Sequence, residues 1–329
     1  MRCGVLFLKG IDDQSQARVL IDQAGQLQLI FSGGVNAEAF LRGRGVEGTA
    51  LLLGPVDQRK NLHLERPSIL FNEISDGDTH KAALRRAAQI RDIFPNLHCI
   101  NEPTYVQEST RDRVAERLLG IDGLNVPKTL RFQPRSPDDV SATWRKAFGP
   151  QVLLRRAGQH GGVDTVLLSQ PSELSKLHAL PLDGSDYYMT EFVDYRSVDG
   201  FYRKYRLAVI DGEPFVRHLI ISEEWKIHAA SRAYQQHEAH GQEEAAALDG
   251  FERGMKLEIA DRIREICARM HLEFFGIDCA VTPQGELLLF EANATMNLLV
   301  NPPAAPNMWE ACIARMVDAL VRLIETKSK

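Results

Sequence analysis

The stretch Gly276–Asn297, GIDCAVTPQGELLLFEANATMN, constrains this chain more than any other. Two apolar runs flank a Pro-Gln-Gly turn signal, which predicts an antiparallel hairpin. Each run carries an acid where a buried strand should have none. Asp278 lies inside FFGIDCAV, and Glu291 follows Leu287-Leu288-Leu289-Phe290 directly. Side chains alternate faces along a strand, so Leu289, Glu291 and Asn293 should share one face. With Pro283–Glu286 as the loop and Thr282 paired with Leu287, counting back sets Asp278 opposite Glu291. Opposed Cβ atoms lie roughly 4.5–5.5 Å apart, and like charges there repel. A shared proton would offset that repulsion, and a divalent cation does so better. Asn293 adds a neutral oxygen to the same face, and Gly276, opposite it, leaves space. Such hard oxygen donors suit Mg²⁺, with Mn²⁺ as a substitute, when phosphates complete the shell. Acids on a hairpin can also simply face water. Here Phe274, Phe275 and Ile277 beside the Leu-Leu-Leu-Phe run predict a central, buried hairpin. Replacing Glu291 by Gln should then relieve repulsion and leave the fold level or more stable.

A chain of 329 residues has room for two or three domains. It is 44% apolar and 25% charged, as ordinary globular proteins are. A net charge of −5 argues against a general nucleic-acid binder. No apolar run could span a bilayer, and the N-terminus lacks the pattern of a signal peptide. The five cysteines are scattered with no CxxC pair, which fits a reducing cytoplasm and no disulfide or zinc framework.

GVLFLKG, PSILFNEI and LHCINEP are predicted strands, with a helix over Thr79–Phe94 between the last two. The glycines of SGGVNAEAFLRGRGVEG suit turns, since GxGxxG spacing is absent. ESTRDRVAERLLG is predicted to be a helix capped by Ser109 or Thr110, and LNVPKTLRF a single strand after it. Ser136-Pro137 opens a helix. QVLLRR and VDTVLLS are strands around a glycine-rich loop, followed by a helix over PSELSKLHAL and the strand DYYMTEFVDY. YRKYRLAVID and GEPFVRHLIIS form a hairpin turned at Asp211-Gly212. Residues 223–250 are polar, which predicts a mobile loop or an exposed helix. Two amphipathic helices follow, carried by Met255, Ile259, Ile263, Ile266 and Met270 and by Trp309, Ile313, Met316, Val317, Leu320 and Ile324.

Gly158, Gly161 and Gly162 let backbone amides point at an anion, and Arg155 ends the strand beside them. Taken alone this is a flexible hairpin. Lys204 and Arg206 share a strand face with Tyr202, which suits either a phosphate or a solvated edge. Tyr187–Tyr195 can offer backbone hydrogen bonds and an acid to an adenosine.

The order of these parts is a glycine-rich hairpin loop, a TEF segment, an arginine-bearing strand, and a hairpin with Asp and Glu-x-Asn. It resembles the ATP-grasp superfamily, near its glutathione synthetase and ribosomal-protein glutamate ligase branch. The resemblance covers about residues 100–329. It implies an α/β (α+β) fold: an N-terminal α/β domain over 1–101, then an ATP-grasp domain over 102–329 with antiparallel sheets. Within the latter, 102–190 would be the small lobe with the glycine-rich loop and 191–329 the large lobe with the metal site. The resemblance places Asp278, Glu291 and Asn293 on the Mg²⁺ positions and Arg206 on the transferred phosphoryl group. It puts Glu191, Phe192 and Val193 on the adenine hinge, with Glu191 or Asp199 on the ribose. Arg113 and Arg155 stand where the superfamily commonly has lysines, and with Lys204, Gly158, His160, Gly161 and Gly162 they would hold the nucleotide. The Asn-x-Ser-Pro-Gly ending of many ligases is ANATMN here, so the substrate loop differs.

The reaction implied is ligation, in which ATP activates a carboxylate and an amine then attacks the acyl-phosphate. Small-molecule acids and amines, amino acids or short peptides, would be the substrates, with no nucleic acid or membrane partner and a homodimer left open. Arg217, His218, Trp225 and His228 either pack on the sheet or reach a substrate. His237 and His240 at helical spacing fit an exposed helix better than a metal site. A kinase acting on a hydroxyl would share the ATP site. A non-catalytic nucleotide-binding module fits less well, because the metal positions are intact.

Overall fold

A computed structural model describes residues 3–16, 18–21, 27–30, 34, 36–55, 66–159, 162, 164–227, 237–294, 296–301 and 307–329. The fold is mixed α/β: a four-stranded parallel sheet is followed by a four-stranded antiparallel sheet and a five-stranded, mostly antiparallel one.

The first sheet has parallel strands in the order Val46–Leu53, Cys3–Gly10, Ile69–Asn72, Cys99–Ile100. Val5–Leu8 and Ile69–Phe71 are buried throughout, as continuous apolar runs in parallel strands should be. Helix Lys81–Ile93 follows the third strand with Ala83, Leu84 and Ala87 inward. The glycine-bearing segment after residue 33 forms a short helix, Ala37–Leu41, and then turns at Gly43 and Gly45.

The small antiparallel sheet runs Val166–Leu168, Val152–Arg156, Tyr187–Glu191, Thr129–Phe132. Helix Pro137–Ala147 packs on it through Val140 and Trp144, and Ser136 caps that helix by accepting from the Asp139 amide. PSELSKLHAL winds as a 3₁₀ helix over Pro171–Ala179 rather than an α-helix. LNVPKTLRF does not form one strand. Leu124–Asn125 joins the five-stranded sheet and Thr129–Phe132 the small one. Pro127 lies between them, where the lack of an N–H breaks any ladder.

The five-stranded sheet runs Glu213–Ser222, Tyr202–Ile210, Phe274–Val281, Leu287–Ala294, Leu124–Asn125. Asp211 and Gly212 both take positive φ (50° and 81°), the two-residue turn that suits strand twist. Helices Met255–Met270 and Glu310–Lys327 bury the apolar stripes expected of them. Helix Glu238–Gly250 lies at the surface, as expected, but is anchored by two buried residues. Leu248 is buried, and buried Glu244 accepts from the Leu219 amide and Trp309 Nε1.

One amide joins the first sheet to the strand that carries Asp278. Asn101, at φ 58°, accepts through Oδ1 from the Glu273 and Phe274 amides and donates Nδ2 to the Phe274 carbonyl. Phe71 meets Phe274 edge to face beside it. The apolar side chains of both sheets form one continuous cluster there. Among the described residues no helix is long and apolar enough to cross a membrane.

Candidate functional site

Asp278 and Glu291 are direct cross-strand partners, and so are Gly276 and Asn293. The route to that register differs from the simple count. Val281, not Thr282, pairs with Leu287, and a bulge between Asp278 and Cys279 takes up the extra residue. Phe290 is the residue skipped, since Cys279 faces Leu289 and Asp278 faces Glu291. Leu289 therefore does not share a face with Glu291. It joins the main core with Ala292, while Phe290 packs with Ala280, Leu288, Tyr195 and Tyr202. Bulges re-aim side chains in this way. The space above Gly276 is also taken: a Cβ there would lie 2.5 Å from Met296 Cβ.

Side-chain cations, not a shared proton, offset the two charges. Arg206 Nε donates to Asp278 Oδ1 at 2.7 Å and Nη2 to Oδ2 at 2.9 Å, with Lys204 Nζ 3.2 Å from Oδ2. Burial alone would raise the Asp278 pKa. Lys204 and Arg206 outweigh it and hold the carboxyl far below the usual range. Arg111 Nη2 lies 2.5 Å from Glu291 Oε2, and Asn293 Nδ2 donates to Oε1.

The family resemblance points to Arg113 and passes over Arg111. In the helix Arg111–Arg117, Arg113 is half exposed and pairs with Glu108. The signal was present, because Arg111 shares its face with buried Val114, Ala115 and Leu118 at helical spacing. Arg155 lies close by. Burial, with Arg111 adding repulsion, pushes its guanidinium down to about 10. Its Nε is buried without a hydrogen-bond partner among the described residues, and Nη2 donates to the Gln159 carbonyl.

The glycine-rich loop leans on the first sheet's connection. Gly158 has φ 74°, and a Cβ there would lie 2.4 Å from Thr79 Cγ2. A small cleft results, lined by Asp76, Thr110, Arg111, Gly158, Glu291 and Asn293. Arg131 braces it from outside the cleft, paired with Asp78, Asp112 and Asp186, and Tyr188 Oη donates to Asp78 at 2.7 Å. These residues carry no motif in the sequence. Gly162 has φ 71°; His160 and Gly161 lie outside the described residues.

At the segment where the resemblance expects an adenine hinge, the amides of Glu191 and Phe192 donate to the carbonyls of Lys128 and Gln151. Phe192 meets Trp225 edge to face, and Val193, Trp225 and Ile227 flank the cluster of Tyr195, Tyr202 and Leu288. Lys204 Nζ donates to the Ile227 carbonyl at 3.0 Å, so part of the 223–250 segment folds over this end. Asp199 is on an exposed turn, where Arg203 pairs with it and holds its carboxyl down at about 2. Arg217 donates to the Val300 carbonyl at 2.8 Å. His218 is buried, and its pKa falls well below the usual imidazole value because of burial and Arg206. His228 lies outside the described residues. The rings of His237 and His240 lie 5.1 Å apart, tilted by 55°.

No group of three His, Cys, Asp or Glu among the described residues could hold a metal. A cation at Asp278 and Glu291 would need Asn293 or a ligand's oxygens as further donors. The donor chemistry fits that: two carboxylates and an amide, all hard oxygen, with guanidinium partners that can also meet phosphate.

No protein-family model matches the sequence, and no curated protein does. Solved structures do match. D-Alanyl-alanine synthetase A from Vibrio cholerae O1 biovar eltor is 11% identical, with TM-score 0.56 and 99% of this chain and 98% of that chain covered. D-Alanine–D-alanine ligase from Bacillus anthracis complexed with ATP is 10% identical, with TM-score 0.55 and the same coverage. The ATP-grasp ligase PsnB complexed with minimal precursor is 14% identical, with TM-score 0.52 and 98% and 100% covered. At such identities the shared feature is the fold.

Proposed function

Because the chain has the ATP-grasp fold, we propose that it is an ATP-dependent carboxylate–amine ligase that forms an amide and releases ADP and phosphate. The observation that carries this reading is the opposed pair Asp278–Glu291 set among Arg111, Lys204 and Arg206. Two acids with more cations than they need form a site for a polyanion. The ligase names of the structural neighbours, one of them complexed with ATP, support the same reading.

In this reading Asp278, Glu291 and Asn293 hold Mg²⁺, which when bound neutralises phosphate charge. Arg155, Lys204 and the amides of the glycine-rich loop hold the nucleotide, and Arg206 meets the phosphoryl group in flight. Phosphoryl transfer asks for alignment and charge stabilisation more than covalent help. A substrate carboxylate oxygen bonds to the γ-phosphorus as the β–γ bridge breaks, and ADP leaves. The amine nitrogen then bonds to the acyl carbon, the carbon–oxygen bond to phosphate breaks, and the amine gives up a proton. The acid and amine are small molecules, with amino acids or short peptides foremost. In this reading residues 1–101 are the α/β unit ahead of the two lobes, and its sheet shares an apolar core with the five-stranded sheet.

ADP release screened against amino acids and dipeptides tests this, with hydroxylamine in place of the amine. A hydroxamate of the acid supports the ligase. A phosphorylated hydroxyl in the product, with no hydroxamate, would replace it with a kinase.

A further inference from the structure

Glu291, Asp278, Arg206 and His218 are successive cross-strand partners on four neighbouring strands. Directly opposed residues share a face, so the imidazole belongs to the face of the acids. Strands lie about 4.8 Å apart, which sets His218 one strand beyond Arg206, on the edge strand of the sheet. The ladder skips Arg217, since Arg206 faces His218 and Leu207 faces Val216. That bulge keeps His218 in the row and lets Arg217 reach Val300.

The other members of the row are paired, while one nitrogen of the imidazole has no partner among the described residues. His218 is 9% exposed, and its Nε2 is buried with no hydrogen-bond partner among the described residues. Native proteins rarely leave such an atom unmet without a use for it. The charges that act on it most are Arg206, Asp278, Arg217 and Lys204, with Glu244 facing Arg217 and accepting from the Leu219 amide. The nearby cations suit an anion, and a neutral ring there keeps one N–H to donate.

We propose that His218 Nε2–H donates a hydrogen bond to the carboxylate of the acid substrate, which lies beyond Arg206 at the edge-strand end of the row. The identity of that carboxylate as the one to be activated rests on the ligase reading; the carboxylate site itself does not. The geometry orders the row: acids toward the nucleotide, Arg206 at the transferred group, His218 at the acid that receives it. His218 is then a substrate contact that sets specificity for a carboxylate over a neutral amide.

The first test is histidine-selective ¹⁵N NMR of the full chain with ADP and Mg²⁺, with the His218 signal assigned by its loss in His218→Phe. Acetate should shift that signal saturably and acetamide should not. No shift with acetate, or an equal shift with acetamide, overturns the proposal. The second test uses any acid that drives ADP release. His218→Phe should raise the KM for that acid about 10- to 100-fold, the range of a hydrogen bond to a charged group. His218→Gln, which keeps an N–H donor, should stay within about threefold of wild type, and the KM for ATP should not change in either. Equal effects on both substrates, or none in His218→Phe, also overturn it. An acetate shift without any acid-dependent ADP release would remove the ligase reading and leave the carboxylate site standing.

Discussion

Arg111 Nη2 sits 2.5 Å from Glu291 Oε2, so the first turn of a helix neutralises an acid on the central hairpin. This reverses the expectation that losing the Glu291 charge would relieve strain. Both side chains are about four-fifths buried, at 19% and 18% exposure. Glu291→Gln should leave Arg111 without its ion-pair partner beside Arg155 and cost roughly 1–3 kcal/mol. Urea unfolding would measure it, and a variant as stable as wild type would show that the pair contributes nothing. Arg113→Gln, on an exposed pair, should change stability by less than about 0.5 kcal/mol.

Gly276→Ala should destabilise by roughly 1–3 kcal/mol through overpacking. The added Cβ would meet Met296 Cβ at 2.5 Å and Sδ at 2.8 Å. Met296→Ala keeps the closer of these atoms, so the double variant should recover little. Full recovery in thermal melts would mean that the sulfur, not the backbone of the 296–301 segment, is the obstacle.

Much of this was written in local pattern. The hairpin, its two opposed acids, the Asp211-Gly212 turn and the two amphipathic helices follow from alternation, turn chemistry and helical spacing. What alternation could not show was the bulge at Phe290, because a skipped residue leaves no compositional mark. The final register came out as expected only because that bulge restored the count after a turn one residue different. Asp78, Arg131 and Tyr188 were invisible for another reason: Asp78 is far from the other two in sequence and meets them only when the small sheet packs on the connection after the first sheet. Arg111 was legible in principle, since the apolar face of its helix names the inward residue.

Buried Glu73 makes stability depend on pH. Burial raises its pKa to about 7, although Lys9 and the amides of Ala37 and Glu38 pull it down. An acid whose folded value exceeds the unfolded one, about 4.3, favours folding most below the unfolded value. That stability is lost as pH rises from about 4.3 to 7. Glu73→Gln still accepts at the helix Ala37–Leu41 and carries no charge. It should be more stable than wild type at pH 8, by roughly 3 kcal/mol, and the two should converge near pH 4.5. A difference that does not vary with pH would rule out Glu73 as the titrating group.

ATP and Mg²⁺ should stabilise the chain together more than either alone. The carboxylates of Asp278 and Glu291 already have cationic partners, so the metal alone has little to gain. ATP at about 100 times its dissociation constant should add roughly 2.7 kcal/mol. Thermal melts that are the same with ATP and with ATP plus Mg²⁺ would remove the metal assignment.

Arg206 has two tasks, and one substitution separates them. It holds buried Asp278 through a bidentate pair, and in the proposed reaction it meets the phosphoryl group. Arg206→Ala would confound the two by leaving Asp278 with Lys204 alone. Arg206→Lys keeps the charge and loses the planar fork, so Asp278 stays compensated and unfolding should change by no more than about 1.5 kcal/mol. A contact made mainly in the transition state lowers kcat and kcat/KM together. Turnover should therefore fall about 100-fold or more, while ATP affinity by calorimetry stays within about threefold. If affinity falls as far as turnover does, Arg206 anchors the ground-state nucleotide, and the stabilisation of the transferring group must come from Arg155 or the glycine-rich loop.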